Sequence, residues 1–265
     1  MAQPPNPFEQ QRPISGIRHI VCVGAGKGGV GKSTVTINLA LAMSKLGMKV
    51  GVLDADIYGP SLPRLVGTLN QKPAIGQDQI MEPITRFGLK TMSIGYLIPE
   101  ARGLVWRGPL LFKTMDQFFR GVNWGELDYL FIDLPPGTGD VPLSVAQKVP
   151  VAGAIAVCTP QNVALMDVER AINMFETIAI PVLGLVENMS YFTPPGSSEK
   201  IALFPKGDLD HYLTHHQMTK LGEIPFQTQL SLSGEVGIPL VESYPGSAEA
   251  QVFRQIALAI RGRLD

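Results

Sequence analysis

Cysteine is scarce: Cys22 and Cys158 are the only two in 265 residues, too few for a disulfide framework. A reducing, cytoplasmic setting is the expectation that follows. No run of ~18 apolar residues occurs, so no membrane-spanning helix is expected. Met1 to Pro13 is rich in proline and glutamine and has no apolar stretch, so it reads as a flexible tail and not as a secretory signal. The formal net charge of −1 leaves no basic field for nucleic acid. Charged residues make up only 17% against 45% hydrophobic, the balance of a globular interior and not of a disordered chain.

The chain does have strand-length apolar runs alternating with helical patterns. His19 to Gly24, Val50 to Leu53, Tyr129 to Ile132, Gly153 to Cys158 and Val182 to Val186 read as buried strands. Lys32 to Leu46, Leu110 to Phe119, Val163 to Ile178 and Ala248 to Arg263 read as helices, the first stopped by Gly47. This alternation predicts an α/β fold: a doubly wound, mostly parallel sheet with helices on both faces. Phe192 to Lys206, with Pro194, Pro195 and Pro205, reads as an inserted surface loop.

The densest chemistry is G-A-G-K-G-G-V-G-K-S-T, starting at Gly24. Gly26 to Ser33 fits G-x-x-x-x-G-K-[ST], directly after a strand and before a helix. In such a loop Gly26, Lys27, Gly28, Gly29, Val30 and Gly31 turn successive N–H groups toward phosphate oxygens. The helix that follows presents its positive end, with Thr34 in its first turn. Lys32 supplies a mobile charge at the β- and γ-phosphates, and Ser33 a hard oxygen for Mg²⁺. A glycine-rich turn without ligand is the plain alternative. Asp133 ends an apolar strand before L-P-P-G-T-G-D, where a carboxylate can complete the Mg²⁺ shell or merely cap a turn. Gly137 and Gly139 suggest a mobile loop that senses the γ-phosphate. Asp54 and Asp56 follow the second strand, at the sheet end where ligands bind; one of the two could orient the attacking water, and Asp54 is a candidate for the metal, with turn chemistry as the rival for each.

These strings resemble the MinD/ParA class of deviant P-loop ATPases. Within it, D-A-D-I-Y-G-P-S at Asp54, W-R-G-P at Trp106, the segment Leu127 to Asp140, T-P-Q-N-V-A-L at Thr159 and E-N-M-S-Y-F at Glu187 are similar to the Mrp/ApbC-type iron–sulfur cluster carriers. The resemblance implies ATP and Mg²⁺ as cofactors and slow ATP hydrolysis with Lys27, Lys32 and Asp56 as its catalytic residues. It also implies a homodimer in which Lys27 crosses to the partner's nucleotide, contact with iron–sulfur assembly or client proteins, and adenine contacts from Asn188 and the segment around Pro225. N-K-x-D, the mark of GTP specificity, is absent after Asn188. The expected organisation is a tail over 1–15 and a P-loop ATPase domain over 16–265.

One departure stands out. The resemblance implies a C-x-x-C just after E-N-M-S-Y-F, whose thiolates would bridge two chains through a [4Fe–4S] cluster. This sequence has Thr193, Pro194, Pro195 and Gly196 there. No iron–sulfur ligand is found, and the bridging cluster is not expected. Cys22 and Cys158 sit in strand patterns and read as small core residues. His211, His215 and His216 fall on a helix expected over Leu209 to Lys220; a metal pair at His211 and His215 is the alternative to plain exposed histidines. Trp106 and Trp124 read as core or interface residues.

Overall fold

The computed structural model describes residues 11–265 apart from 77, 99–107, 195, 198 and 205–207. Its elements in chain order are β1 (Ile17–Gly24), α1 (Lys32–Lys45), β2 (Val50–Asp54), α2 (Leu62–Leu65), β3 (Ile84–Arg86), β4 (Leu89–Ser93), α3 (Gly108–Arg120) and β5 (Leu127–Asp133), followed by α4 (Asp140–Lys148), β6 (Gly153–Cys158), α5 (Asn162–Thr177), β7 (Val182–Asn188), α6 (Leu209–His215), β8 (Lys220–Ile224), α7 (Thr228–Val236), α8 (Leu240–Ser243) and α9 (Ala248–Leu264). The strands form one eight-stranded sheet in the order β3-β4-β2-β5-β1-β6-β7-β8. Every pairing is parallel except that of β3 with β4. The doubly wound, mostly parallel fold is therefore as expected.

Because strand side chains alternate faces, each central strand feeds two cores. Val21, Val23, Tyr129 and Phe131 join the core under α1 and α9, while Ile20, Cys22, Leu130 and Ile132 join the core under α3 and α4. Both faces are covered, which is why these strands read as nearly unbroken apolar runs. α1 lies deep in the first core, and its polar Asn38 is satisfied there: Nδ2 donates to Thr34 O at 2.9 Å, and Oδ1 accepts the N–H of Val241 at 2.9 Å. Gly47 ends α1 with φ of 89°, a left-handed conformation that favours glycine.

The expected helix over Leu209 to Lys220 is shorter, because Gln217 turns left-handed at φ of 54° and Lys220 already opens β8. The strands β3, β4 and β8 and the helices α2, α4, α7 and α8 were not legible as elements. Residues 1–10 of the expected tail and Trp106 lie outside the described residues. Arg12 to Ile14 are held: Arg120 donates to the carbonyls of Arg12 and Pro13 at 2.6 Å each, and Ile14 is buried. Trp124 is a core residue whose indole N–H donates to Phe118 O at 2.9 Å. Among the described residues no helix is long and apolar enough to cross a membrane.

Candidate nucleotide site

The register of the sheet places the chemistry. Asp54, the last residue of β2, pairs with Asp133, the last residue of β5; Val23, near the end of β1, pairs with Asp133 on its other side. The glycine loop leaves β1 at this edge, beside the point where the sheet order reverses. Glycine is required here by space and by backbone. Gly29 and Gly31 have φ of 81° and 80°, and a Cβ on Gly26 would lie 1.9 Å from the carbonyl oxygen of Asp167. The N-cap of α1 is Gly31, with no side chain bonded to the first-turn N–H groups. Those donors point outward at a helix start, the arrangement that binds anions.

Lys32 is buried and its Nζ lies 2.7 Å from Asp133 Oδ1. The same carboxylate accepts Thr36 Oγ1 at 2.9 Å and, through Oδ2, Ser33 Oγ at 2.5 Å. Ser33 and Asp133 thus put two hard oxygens together beside the helix start, a donor set that suits Mg²⁺. Thr36 is a participant that sequence reasoning missed, although K-S-T-V-T puts Thr36 one turn after Lys32 on the same helix face.

Asp54, assigned to the metal from sequence, is fully buried and serves the backbone. Its Oδ1 accepts the N–H of Asp56 at 3.1 Å, and its Oδ2 accepts the N–H groups of Ser61 and Leu62 at 3.1 Å each and Ser93 Oγ at 3.0 Å. Burial and the charge of Asp133 push Asp54 up to about 7, against the donors that favour its anion. Asp56 is half-buried; its Oδ1 accepts the N–H groups of Tyr58 and Gly59 at 3.3 and 3.1 Å. It lines a cleft of about 500 Å³ with Pro135, Pro136 and Asp140 from the segment after β5. That segment is stitched to the glycine loop, since Gly137 donates to Ala25 O at 3.0 Å.

Lys27 is engaged within its own chain. Its Nζ lies 3.1 Å from Asp167 of α5, a partner no local motif announced. Asn188 ends β7, beneath the glycine loop. Its Nδ2 donates to Val30 O at 2.8 Å, which turns Oδ1 the other way; this buried oxygen has no partner among the described residues. Asn188, Pro225, Gly31 and Thr34 line a pocket of about 220 Å³. Arg64 and Leu65 of α2, and Gln227, Leu230 and Glu235 of the segment beyond β8, complete its wall and were not foreseen.

The two cysteines and the histidines of α6 stand apart from this site. Cys22 and Cys158 are buried, and burial pushes both thiols well above their ordinary range. His211 and His215 are exposed on α6, and the His216 ring packs on Tyr212 with centroids 4.2 Å apart. Among the described residues no group of three or more His, Cys, Asp or Glu is placed to hold a metal ion.

The family model described as the NUBPL iron-transfer P-loop NTPase, of the ParA type, matches residues 16–261. The chain belongs to this family. The iron–sulfur cluster carrier protein of Aquifex aeolicus is 46% identical over 252 residues, covering 95% of this chain and 69% of that protein. The iron–sulfur cluster transfer protein NUBPL of Mus musculus is 42% identical and covers 96% of this chain and 80% of its own length. Among solved structures, the nucleotide-binding protein from Archaeoglobus fulgidus in complex with ADP superposes with a TM-score of 0.77 at 41% identity, covering 90% of this chain and 92% of that one. The septum site-determining protein MinD from Pyrococcus horikoshii, complexed with Mg-ADP, superposes at 0.64 and 21% identity, covering 91% of this chain and 94% of that one, a likeness of fold alone. The resemblance read from the motifs is thereby the family itself.

Gly26→Ala should abolish nucleotide binding, because its Cβ would collide with the Asp167 carbonyl and drive the loop off α5. Calorimetric titration with Mg·ADP checks this; an affinity equal to that of the unaltered chain would show that the loop tolerates the displacement.

Proposed function

We propose that residues 16–265 form an ATPase domain of an iron–sulfur assembly protein, acting in the cytoplasm as an ATP-gated homodimer that holds no cluster of its own. The observation that carries the choice of ATP is the Asn188 amide. A buried acceptor without a donor costs about 1–3 kcal/mol. Asn188 is part of the pocket wall beside the glycine loop and its buried Oδ1 is unpaired among the described residues, so a base that reached it would satisfy it with the 6-amino group of adenine and not with the 6-oxo group of guanine. Pro225 would pack on the base.

In this reading the N–H groups of Gly26 to Thr34 receive the phosphates, and Lys32 turns from Asp133 to the β- and γ-phosphates. Ser33, and Asp133 through water, would hold Mg²⁺, which offsets phosphate charge when bound. Asp56 orients the attacking water with the oxygen its own loop does not use. Asp54 acts by holding that loop and not by touching the metal. Hydrolysis is slow in a lone chain, because positioning without a further cation leaves transition-state charge unmet. Lys27 supplies that cation: on dimerisation it leaves Asp167 and crosses to the partner's nucleotide.

Lys32→Ala should abolish ATP binding by calorimetry. Asp56→Ala should bind ATP within about threefold of the unaltered chain and lose turnover by about a hundredfold. Normal phosphate release by the Asp56 variant would remove its role. The homodimer predicts that size-exclusion chromatography with a non-hydrolysable ATP analogue gives a species twice the mass seen with ADP, and that Lys27→Ala stays at the smaller mass with both. One elution position for all four runs rejects the gate.

The cluster does not fit this chain. An iron–sulfur centre needs thiolates, and here Thr193, Pro194 and Gly196 stand where they would be, while both cysteines are buried in strands. The cluster is therefore cargo handled through client proteins. Anaerobic reconstitution with iron and sulfide should leave this protein colourless and iron-free after desalting. About two iron atoms or more per chain, with visible charge-transfer absorbance, would return it to the carriers that bind their own cluster.

A further inference from the structure

The wall of the base pocket and the loop that carries Asp56 are parts of one continuous segment. Asp54 holds both ends of that loop: Oδ1 takes the N–H of Asp56, and Oδ2 takes those of Ser61 and Leu62, the latter opening α2. One turn later α2 presents Arg64 and Leu65 to the pocket. Beyond it Val66 and Thr68 are buried, and Thr68 Oγ1 lies 2.9 Å from the Tyr96 hydroxyl. Pro60 and Pro63 stiffen the segment by fixing φ. Its far end is bolted to α7, which forms the facing wall of the pocket. Gly67 and Gly237, at φ of 69° and 72°, cross so closely that a Cβ on Gly237 would lie 2.5 Å from Gly67 Cα and 2.7 Å from Gly67 N.

We propose that residues 54–68 act as a lever by which a base seated against Leu65 sets the position of Asp56, so that the base governs turnover as well as affinity. The proposal rests on the ATPase reading above and extends it. Both ends of the segment are fixed by buried hydrogen bonds, so pressure on α2 is not absorbed locally. It passes to Ser61 and Leu62, and through the Asp54 carboxylate to the N–H of Asp56. Leu65 and Gly237 are positioning residues in this scheme and touch no phosphate. Small displacements of a water-orienting carboxylate have large effects on rate, because attack needs reacting atoms at close range and aligned.

The test compares turnover at saturation for Mg·ATP and for magnesium inorganic triphosphate, which carries the phosphates and no base. The unaltered chain should turn over ATP about tenfold faster or more. Gly237→Ala, which wedges α2 from α7, should bring the two rates within about twofold of each other. Leu65→Ala should narrow the ratio likewise, Leu65→Met should restore it, and this pair carries the test where Gly237→Ala does not fold. Equal rates for the two substrates in the unaltered chain overturn the lever, as does the wild-type ratio persisting in Leu65→Ala. Absence of turnover with either substrate overturns the ATPase reading beneath it instead.

Discussion

Beneath the glycine loop, the Lys32 ammonium and the Asp133 carboxylate meet at 2.7 Å, with side chains only 7% and 4% exposed. Burying such a pair is costly and seldom stabilises a fold over apolar packing of the same volume. The pair makes sense as a poised charge. Asp133 also accepts Ser33 and shares the single Thr36 hydroxyl proton with Lys32 O, so it keeps a hydroxyl donor when the lysine turns away. A triphosphate offers Lys32 a stronger partner than one carboxylate. A Mg²⁺ arriving with it would return positive charge beside Asp133. The lysine can thus be traded between two anions without leaving either bare.

Asp54 lies one strand over and shows the opposite use of a buried carboxylate. From its place at a strand end it looks like a second metal ligand. Surrounded by N–H groups from 56, 61 and 62 and the Ser93 hydroxyl, it anchors a loop. Two acids at neighbouring strand ends, in register with each other, divide the work: Asp133 faces the lysine and hydroxyls of α1, and Asp54 faces the backbone of its own loop. Burial, and after it repulsion from Asp133, raise Asp54, against the N–H and hydroxyl donors that favour its ionised form.

What the sequence disclosed follows from how local each feature is. The glycine loop, with Lys32 and Ser33 at its end, was legible as a strand, a turn and a helix start because all three lie within a dozen consecutive residues, so spacing alone constrains the geometry. Strand-end carboxylates were legible as positions but not as roles, since the donors that claim Asp54 depend on how the chain curls afterwards. Asp167 opposite Lys27, and Leu65 in the pocket wall, come together only through tertiary packing. The end of α6 was misread for a related reason: Gln217 adopts the left-handed turn usually given to glycine, so no stop signal was visible.

The same distinction bears on iron. A family resemblance carried by long strings brings over the residues of the nucleotide motif, because those residues are there. It does not transfer the thiolates, because they are not. Cys22 faces the core under α3 and α4, and Cys158 packs with Val168, Ile172 and Leu185. Burial favours the protonated thiol over the thiolate that a cluster requires, and reaching iron would mean pulling a residue out of a central strand. Such a rearrangement would break the sheet that aligns Asp54, Asp133 and the glycine loop. Holding a cluster through Cys22 or Cys158 would therefore cost the sheet on which the proposed nucleotide site is built.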